Sequence, residues 1–287
     1  MLIKIASGDI IDPTNGRSGK GDLWLRDGKI VEPPASGKAD KTYDAKGCIV
    51  MAGAIDIHSH IGGGNVNTAR LLLPEQHRGH LPRPAHTPLS NAGWSTFETG
   101  CLYAKMGFTT VVEPAMNPGA ALHTHLELAD IPIIDKATLA ILGNDDFLLS
   151  MIRDKASISA IDDYVAWTVQ SSRALGVKVI NAGAAAAFKE NVRTFSLDDV
   201  VPSYGVSSRT IVKTLQASVD RLGIPHPLHV HCNNLGIGGA ADTAAATMAA
   251  AEGQPLHLAH LQFYGYDTEG KRKFSSAAAR LAEIVNA

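Results

Sequence analysis

The sequence predicts an α/β protein: a TIM-like (β/α) barrel with about six of its eight βα units present, preceded by a small β portion. Three observations carry this reading. From Ala54 onward, short apolar runs alternate with helix-forming stretches, the texture of βα units around a parallel sheet. Before Ala54, β-type runs are separated by turn dipeptides, as in a small antiparallel unit. Histidines and one lysine recur towards the C-terminal ends of the apolar runs, the face on which barrel enzymes carry their active sites. At 287 residues, composition alone permits one large α/β barrel or two ordinary domains.

The N-terminal runs are Leu2–Ala6, Asp22–Arg26, Lys29–Glu32 and Gly47–Val50, punctuated by Asp-Pro, Asn-Gly, Asp-Gly and Pro-Pro. Barrel strands are expected near Ala54–His58, Thr109–Glu113, Thr138–Leu142, Val177–Asn181, Leu228–Cys232 and Leu256–His260. Helices are expected near Thr96–Met106, Ala120–Ala129, Ile161–Leu175, Ser207–Leu222, Ala240–Ala251 and Ser275–Val285. The alanine-rich run at 240–251 reads as a helix, because alanine is the best helix former. The connections 62–95 and 182–202 exceed ordinary βα loops, a length typical of lids and binding loops.

His58-Ser59-His60 follows the first barrel strand and enters Gly62-Gly63-Gly64. Residues i and i+2 of a strand share a face, so both imidazoles can turn to one ion, although the spacing equally suits two hydrogen-bonded histidines. The fifth strand offers His229 and His231, which share a face, and the sixth offers His257 and His260, which alternation puts on opposite faces. His231 and His260 are preferred as nearer the strand C-termini. Neutral imidazoles bind zinc through one ring nitrogen and leave room for a water whose pKa falls towards neutrality. Lys178, on the fourth strand, reads either as a rim or salt-bridged lysine or as a desolvated amine. A neutral amine there could take up carbon dioxide as a carbamate, whose two oxygens can bridge two cations.

Other groups have plainer explanations. His123 and His125 fall in an expected helix, where i and i+2 do not face each other. His77, His80 and His86 lie in a long proline-rich loop. Gly236-Ile237-Gly238-Gly239 reads as a turn into a helix, Lys271-Arg272-Lys273 as a solvated face, and Asn144-Asp145-Asp146 as a helix cap or a substrate contact.

A β unit, then Gly53-Ala54-Ile55-Asp56-Ile57-His58-Ser59-His60, a strand-borne lysine and one histidine on each of the next two strands resemble the metal-dependent amidohydrolase superfamily. More narrowly, the run Asp56 to Arg70, Lys105-Met106-Gly107-Phe108-Thr109-Thr110, Glu113-Pro114-Ala115-Met116, His123-Thr124-His125, Ile133-Ile134-Asp135-Lys136 and Leu142-Gly143-Asn144-Asp145 resemble the A-subunit family of formylmethanofuran dehydrogenases and formyltransferase/hydrolase complexes. That resemblance implies residues 1–52 as part of a composite β-sandwich and 53–287 as an incomplete amidohydrolase barrel. It also implies two zinc ions, one held by His58 and His60 and one by His231 and His260, bridged by carboxylated Lys178. The implied reaction is hydrolysis of the formyl amide of a methanofuran-type C1 carrier, or the reverse condensation, beside the other subunits of such a complex. The superfamily's catalytic Asp on the eighth strand is not in this sequence. The chain is therefore expected to be a C-terminally truncated piece, inactive alone, that contributes metal ligands and no catalytic residue.

With 26 basic and 28 acidic residues, the chain has no electrostatic footprint for nucleic acid or an anionic membrane, and a small-molecule substrate is expected. Three widely spaced cysteines, Cys48, Cys101 and Cys232, suggest no disulfide framework, and a cytoplasmic location is expected. Two other readings remain: a dihydroorotase- or hydantoinase-like cyclic amidase, and a non-catalytic scaffold subunit if 287 residues is the native length.

Overall fold

The computed structural model describes residues 1–72 and 96–286; His77, His80 and His86 lie outside them, as does most of the long connection after Gly62. Two compact units are found, Met1–Ala54 and Ile55–Ala287. The first is built on β1 (Leu2–Asp12), β2 (Arg17–Arg26), β3 (Lys29–Ile30), β4 (Lys41–Asp44) and β5 (Ile49–Met51), which form one sheet. β1–β2 and β2–β3 are antiparallel, whereas β4 and β5 both run parallel to β1, so the sheet is mixed rather than purely antiparallel. Hairpin turns mark the first pairs, but a parallel partner arrives by a longer crossover that short turn motifs do not announce. A second layer completing a β-sandwich is not seen among the described residues of this unit.

The other unit carries a six-stranded parallel sheet curled as a half-barrel. Its strands are β6 (Ala54–Asp56), β7 (Phe108–Met116), β8 (Asp135–Ile141), β9 (Gly176–Ile180), β12 (Leu228–His231) and β13 (Leu256–Leu258), neighbours in that order. Its helices are α1 (Gly64–Leu72), α2 (Phe97–Lys105), α3 (Ala121–Ala129), α4 (Asp146–Arg153), α5 (Ile158–Ser171), α6 (Ala184–Phe188), α7 (Ser208–Arg221), α8 (Ala240–Ala250) and α9 (Ala278–Asn286). Helix starts follow local chemistry: Asp145, Ser157 and Ser207 accept the backbone N–H groups of Leu148, Ala160 and Thr210. Asp145 is thus a cap. The connection 182–202 holds α6 and β10 (Val200–Val201), which pairs with β11 (Val206–Ser207). Strands β14 (Tyr266–Asp267) and β15 (Ser275–Ser276) form a small hairpin.

Pairing and alternation divide the sheet into two faces. Val177, Val179, Leu228 and Val230 join Leu215, Val219 and Ala244 from α7 and α8 in the main apolar core, each large aliphatic contributing roughly 1.5–3 kcal/mol by burial. Lys178, paired with His229, and His229, paired with His257, therefore face the opposite, concave side, as does His231 two residues along β12.

Candidate metal centre

Five strand spacings of about 4.8 Å would hold the outer strands of a flat sheet roughly 24 Å apart. The rings of His58, just beyond β6, and His260, just beyond β13, instead lie 5.1 Å apart centre to centre. Curling of the sheet thus brings together residues from its two ends. His58 lies 5.4 Å from His60 and 5.1 Å from His229, and His231 lies 4.5 Å from His260. Lys178 stands beside them: it pairs in register with His229, whose ring meets that of His58, and its charge contributes to lowering the pKa of His58, His231 and His260. The structure therefore gathers His58, His60, Lys178, His231 and His260 into one cluster.

Strand alternation predicts His257 and His260 on opposite faces. Strand β13 stops at Leu258, however, and His260 adopts φ +39°. Period-two alternation fails there, so the His257 ring sits 4.1 Å from His229 while His260 joins His231.

Burial dominates the electrostatics. Lys178 is 1% exposed and its Nζ has no hydrogen-bond partner. Desolvation pulls its pKa down to about 7, so much of the amine is neutral near physiological pH. Burial, then neighbouring charge from Lys178 and other histidines, lowers His58 to about 3. Burial, then His260 and Lys178, lowers His231 to about 3. His229 and His260 are also lowered, mainly by desolvation. These imidazoles are neutral, the form that offers a lone pair to a cation.

Among the described residues, no three or more His, Cys, Asp or Glu side chains are already gathered as a coordination set. The ring nitrogens pair locally instead: His58 Nδ1 lies 2.9 Å from His229 Nε2, and His229 Nδ1 lies 3.1 Å from His226 Nε2. The donor chemistry nonetheless fits a cation, with several neutral imidazoles, an unpartnered buried Lys178 Nζ and an unpartnered buried His260 Nδ1.

Sequence reasoning alone does not mark three supporting groups as site residues. Glu113, 1% exposed in β7, lies 3.0 Å from His60 Nδ1 and accepts the backbone N–H groups of Ile61, Gly62 and Ala115. A lone carboxylate closing the β-forming run Phe108-Thr109-Thr110-Val111-Val112-Glu113, next to Val111 and Val112, is its signal. Tyr103 donates to Asp56 at 2.9 Å and lies 2.5 Å from Ser59 Oγ, while Asp56 accepts the His58 N–H. His226 precedes β12 between two prolines and carries no local signal. His123 and His125 lie on α3 as expected; His123 faces Asn67 and Glu127, and His125 bonds the Ser172 carbonyl.

The sequence model described as "Amidohydrolase family" matches residues 41–287. The A-type subunit of the formyltransferase/hydrolase complex Fhc of Methylorubrum extorquens is 50% identical over all of this chain and 53% of its own length. Protein FwdA of Methanocaldococcus jannaschii is 37% identical, over 98% of this chain and 52% of its own. A dihydroorotase of Shouchella clausii is 27% identical over 55% of this chain and 40% of its own. Among solved structures, the formyltransferase/hydrolase complex FhcABCD of Methylorubrum extorquens, in complex with methylofuran, contains a chain that superposes with a TM-score of 0.91 at 50% identity, covering 100% of this chain and 52% of that one. The chain spans about half the length of the Fhc and FwdA sequences it matches.

Proposed function

Because this chain belongs to the amidohydrolase family, we propose that it carries the metal-ligating half of an A-type subunit that hydrolyses, or in reverse forms, the formyl amide of a formylated methanofuran-type carrier. Fifty per cent identity to the Fhc relative along the whole chain supports the substrate class and a place beside other subunits of such a complex. The observation that carries the chemistry is the buried, unpartnered Lys178 Nζ inside a cluster of neutral histidines. His58 and His60 would hold one zinc ion, His231 and His260 a second, with Lys178 between them as a carbamate. Zinc bound there would supply Lewis-acid polarisation of the formyl carbonyl and a water made acidic enough to react near neutral pH.

The chain's own residues prepare that site. The neutral fraction of Lys178 Nζ, substantial near pH 7, attacks carbon dioxide; an N–C bond forms, one proton leaves the nitrogen, and a lysine carbamate results. The low pKa of His58 and His231 keeps both rings unprotonated across the neutral range, so their lone pairs remain available. Asp56 and Tyr103 hold the turn that presents His58 and Ser59.

The test is formate release from the N-formyl carrier by the full-length protein assembled with its partner subunits. Turnover is expected for the wild type and its loss in Lys178→Ala. The dihydroorotase likeness favours a second reading, a cyclic amidase. Turnover of dihydroorotate with none of the formyl amide would establish that reading and overturn the first.

A further inference from the structure

We propose that Glu113 is a positioning residue for the metal centre: it holds the proton of the His60 imidazole on Nδ1 and so leaves Nε2 free for the cation. The inference rests on the zinc reading above. A carboxylate that is 1% exposed requires donors on all sides, and Glu113 has four. Its Oε1 meets His60 Nδ1 and the Ala115 N–H, each at 3.0 Å, and its Oε2 meets the N–H groups of Ile61 at 2.8 Å and Gly62 at 3.2 Å.

The bonds from Ile61 and Gly62 matter because they hold the carboxylate in register with the loop that carries His60, while the Ala115 bond fixes it on its own strand. A carboxylate oxygen that already accepts from backbone can only accept from the ring as well, and a neutral imidazole has one N–H. The proton is therefore drawn to Nδ1, and the lone pair is left on Nε2. The side-chain amide nitrogen of Asn65 also lies 3.0 Å from Nδ1, and exchanging the amide's two similar ends puts its oxygen there instead, as an acceptor for the N–H. A ligating histidine is commonly oriented by such a bond on its other nitrogen.

A purely structural role, propping the Ile61–Gly62 loop, makes a different prediction for Glu113→Gln. The amide keeps one acceptor. Turned to Ile61 and Gly62, it preserves the two bonds to the His60 loop and presents its NH2 group to His60, giving up the bond from Ala115 on Glu113's own strand. That donor draws the lone pair to Nδ1 and moves the ring proton to Nε2, where it blocks a cation. The loop is kept while the tautomer is reversed.

The experiment uses the full-length protein. Zinc affinity is measured by chelator competition for wild type, E113Q, H60A and the double variant, and the His60 tautomer is read by nitrogen-15 NMR of the metal-free protein. Expected are Nδ1–H in wild type, Nε2–H in E113Q, a loss of zinc affinity of about tenfold or more, and no further loss when E113Q is added to H60A. Wild type that takes up no zinc overturns the metal-centre reading itself. Wild type that binds zinc, with E113Q binding it equally or losing affinity just as much in the H60A background, overturns the role of Glu113 alone. An Nε2–H tautomer of His60 in metal-free wild type does the same and requires no variant to fold.

Discussion

Replacing Lys178 by methionine should abolish a pH dependence of stability that the wild type carries between about pH 7 and 10.5. The wild-type amine is 1% exposed, has no hydrogen-bond partner and titrates at about 7, against 10.5 for an ordinary lysine. The unfolded chain therefore binds a proton that the fold sheds, and folding stability rises with pH across that window. At roughly 1.4 kcal/mol per pH unit the whole difference is about 5 kcal/mol, and about 2 kcal/mol of it falls between pH 7 and 9. Methionine fills a similar volume without a charge or an unpaired donor. At pH 7 the variant should be the more stable protein, and the two should converge as the pH rises. The assay is denaturant unfolding with a chelator in carbon-dioxide-free buffer, which keeps the amine free. Equal pH slopes in wild type and variant would refute a depressed, desolvated Lys178.

His58 and His231 are lowered to about 3 from 6.5, so the unfolded chain binds more protons between those values. The metal-free protein should lose stability as the pH falls below about 6.5, and His231→Asn should flatten that loss between pH 6.5 and 4.5, above the main carboxylate range; an identical slope would discount the buried histidine. Gly63 has φ +77°, and an added Cβ would lie 2.5 Å from Thr124 Oγ1. Gly63→Ala should cost at least about 1 kcal/mol from the left-handed backbone alone, seen as a lower melting temperature; an unchanged one counts against the loop geometry. Leu215, fully buried among the helices and sheet, should cost about 2–5 kcal/mol as Leu215→Ala, measured by urea unfolding.

Strand and helix positions were legible because apolar runs and turn residues have local causes, and the placement of His58, His60, Lys178, His231 and His260 near one end of the sheet was legible from the strand ends, while their proposed role as ligands rests on the family resemblance. What remained hidden depends on the curl of the sheet. The contact of His229 with His58 joins residues on strands four spacings apart, and no periodicity encodes it. His257 and His260 misled because the left-handed residue at 260 interrupts alternation. Glu113 is a lone charge at the buried end of a strand, a signal the sequence reading does not take up, and three of its four donors are supplied by a distant loop. In the N-terminal unit, β4 and β5 pair in parallel with β1 across long separations, where turn dipeptides are silent.

The most direct measurement is metal analysis combined with anomalous diffraction at the zinc edge on the full-length protein, expressed with zinc and bicarbonate. Two zinc ions flanking a carboxylated Lys178, with loss of the pair in Lys178→Ala, is the predicted result. A wild type without zinc, or a Lys178→Ala variant with undiminished zinc, would contradict it.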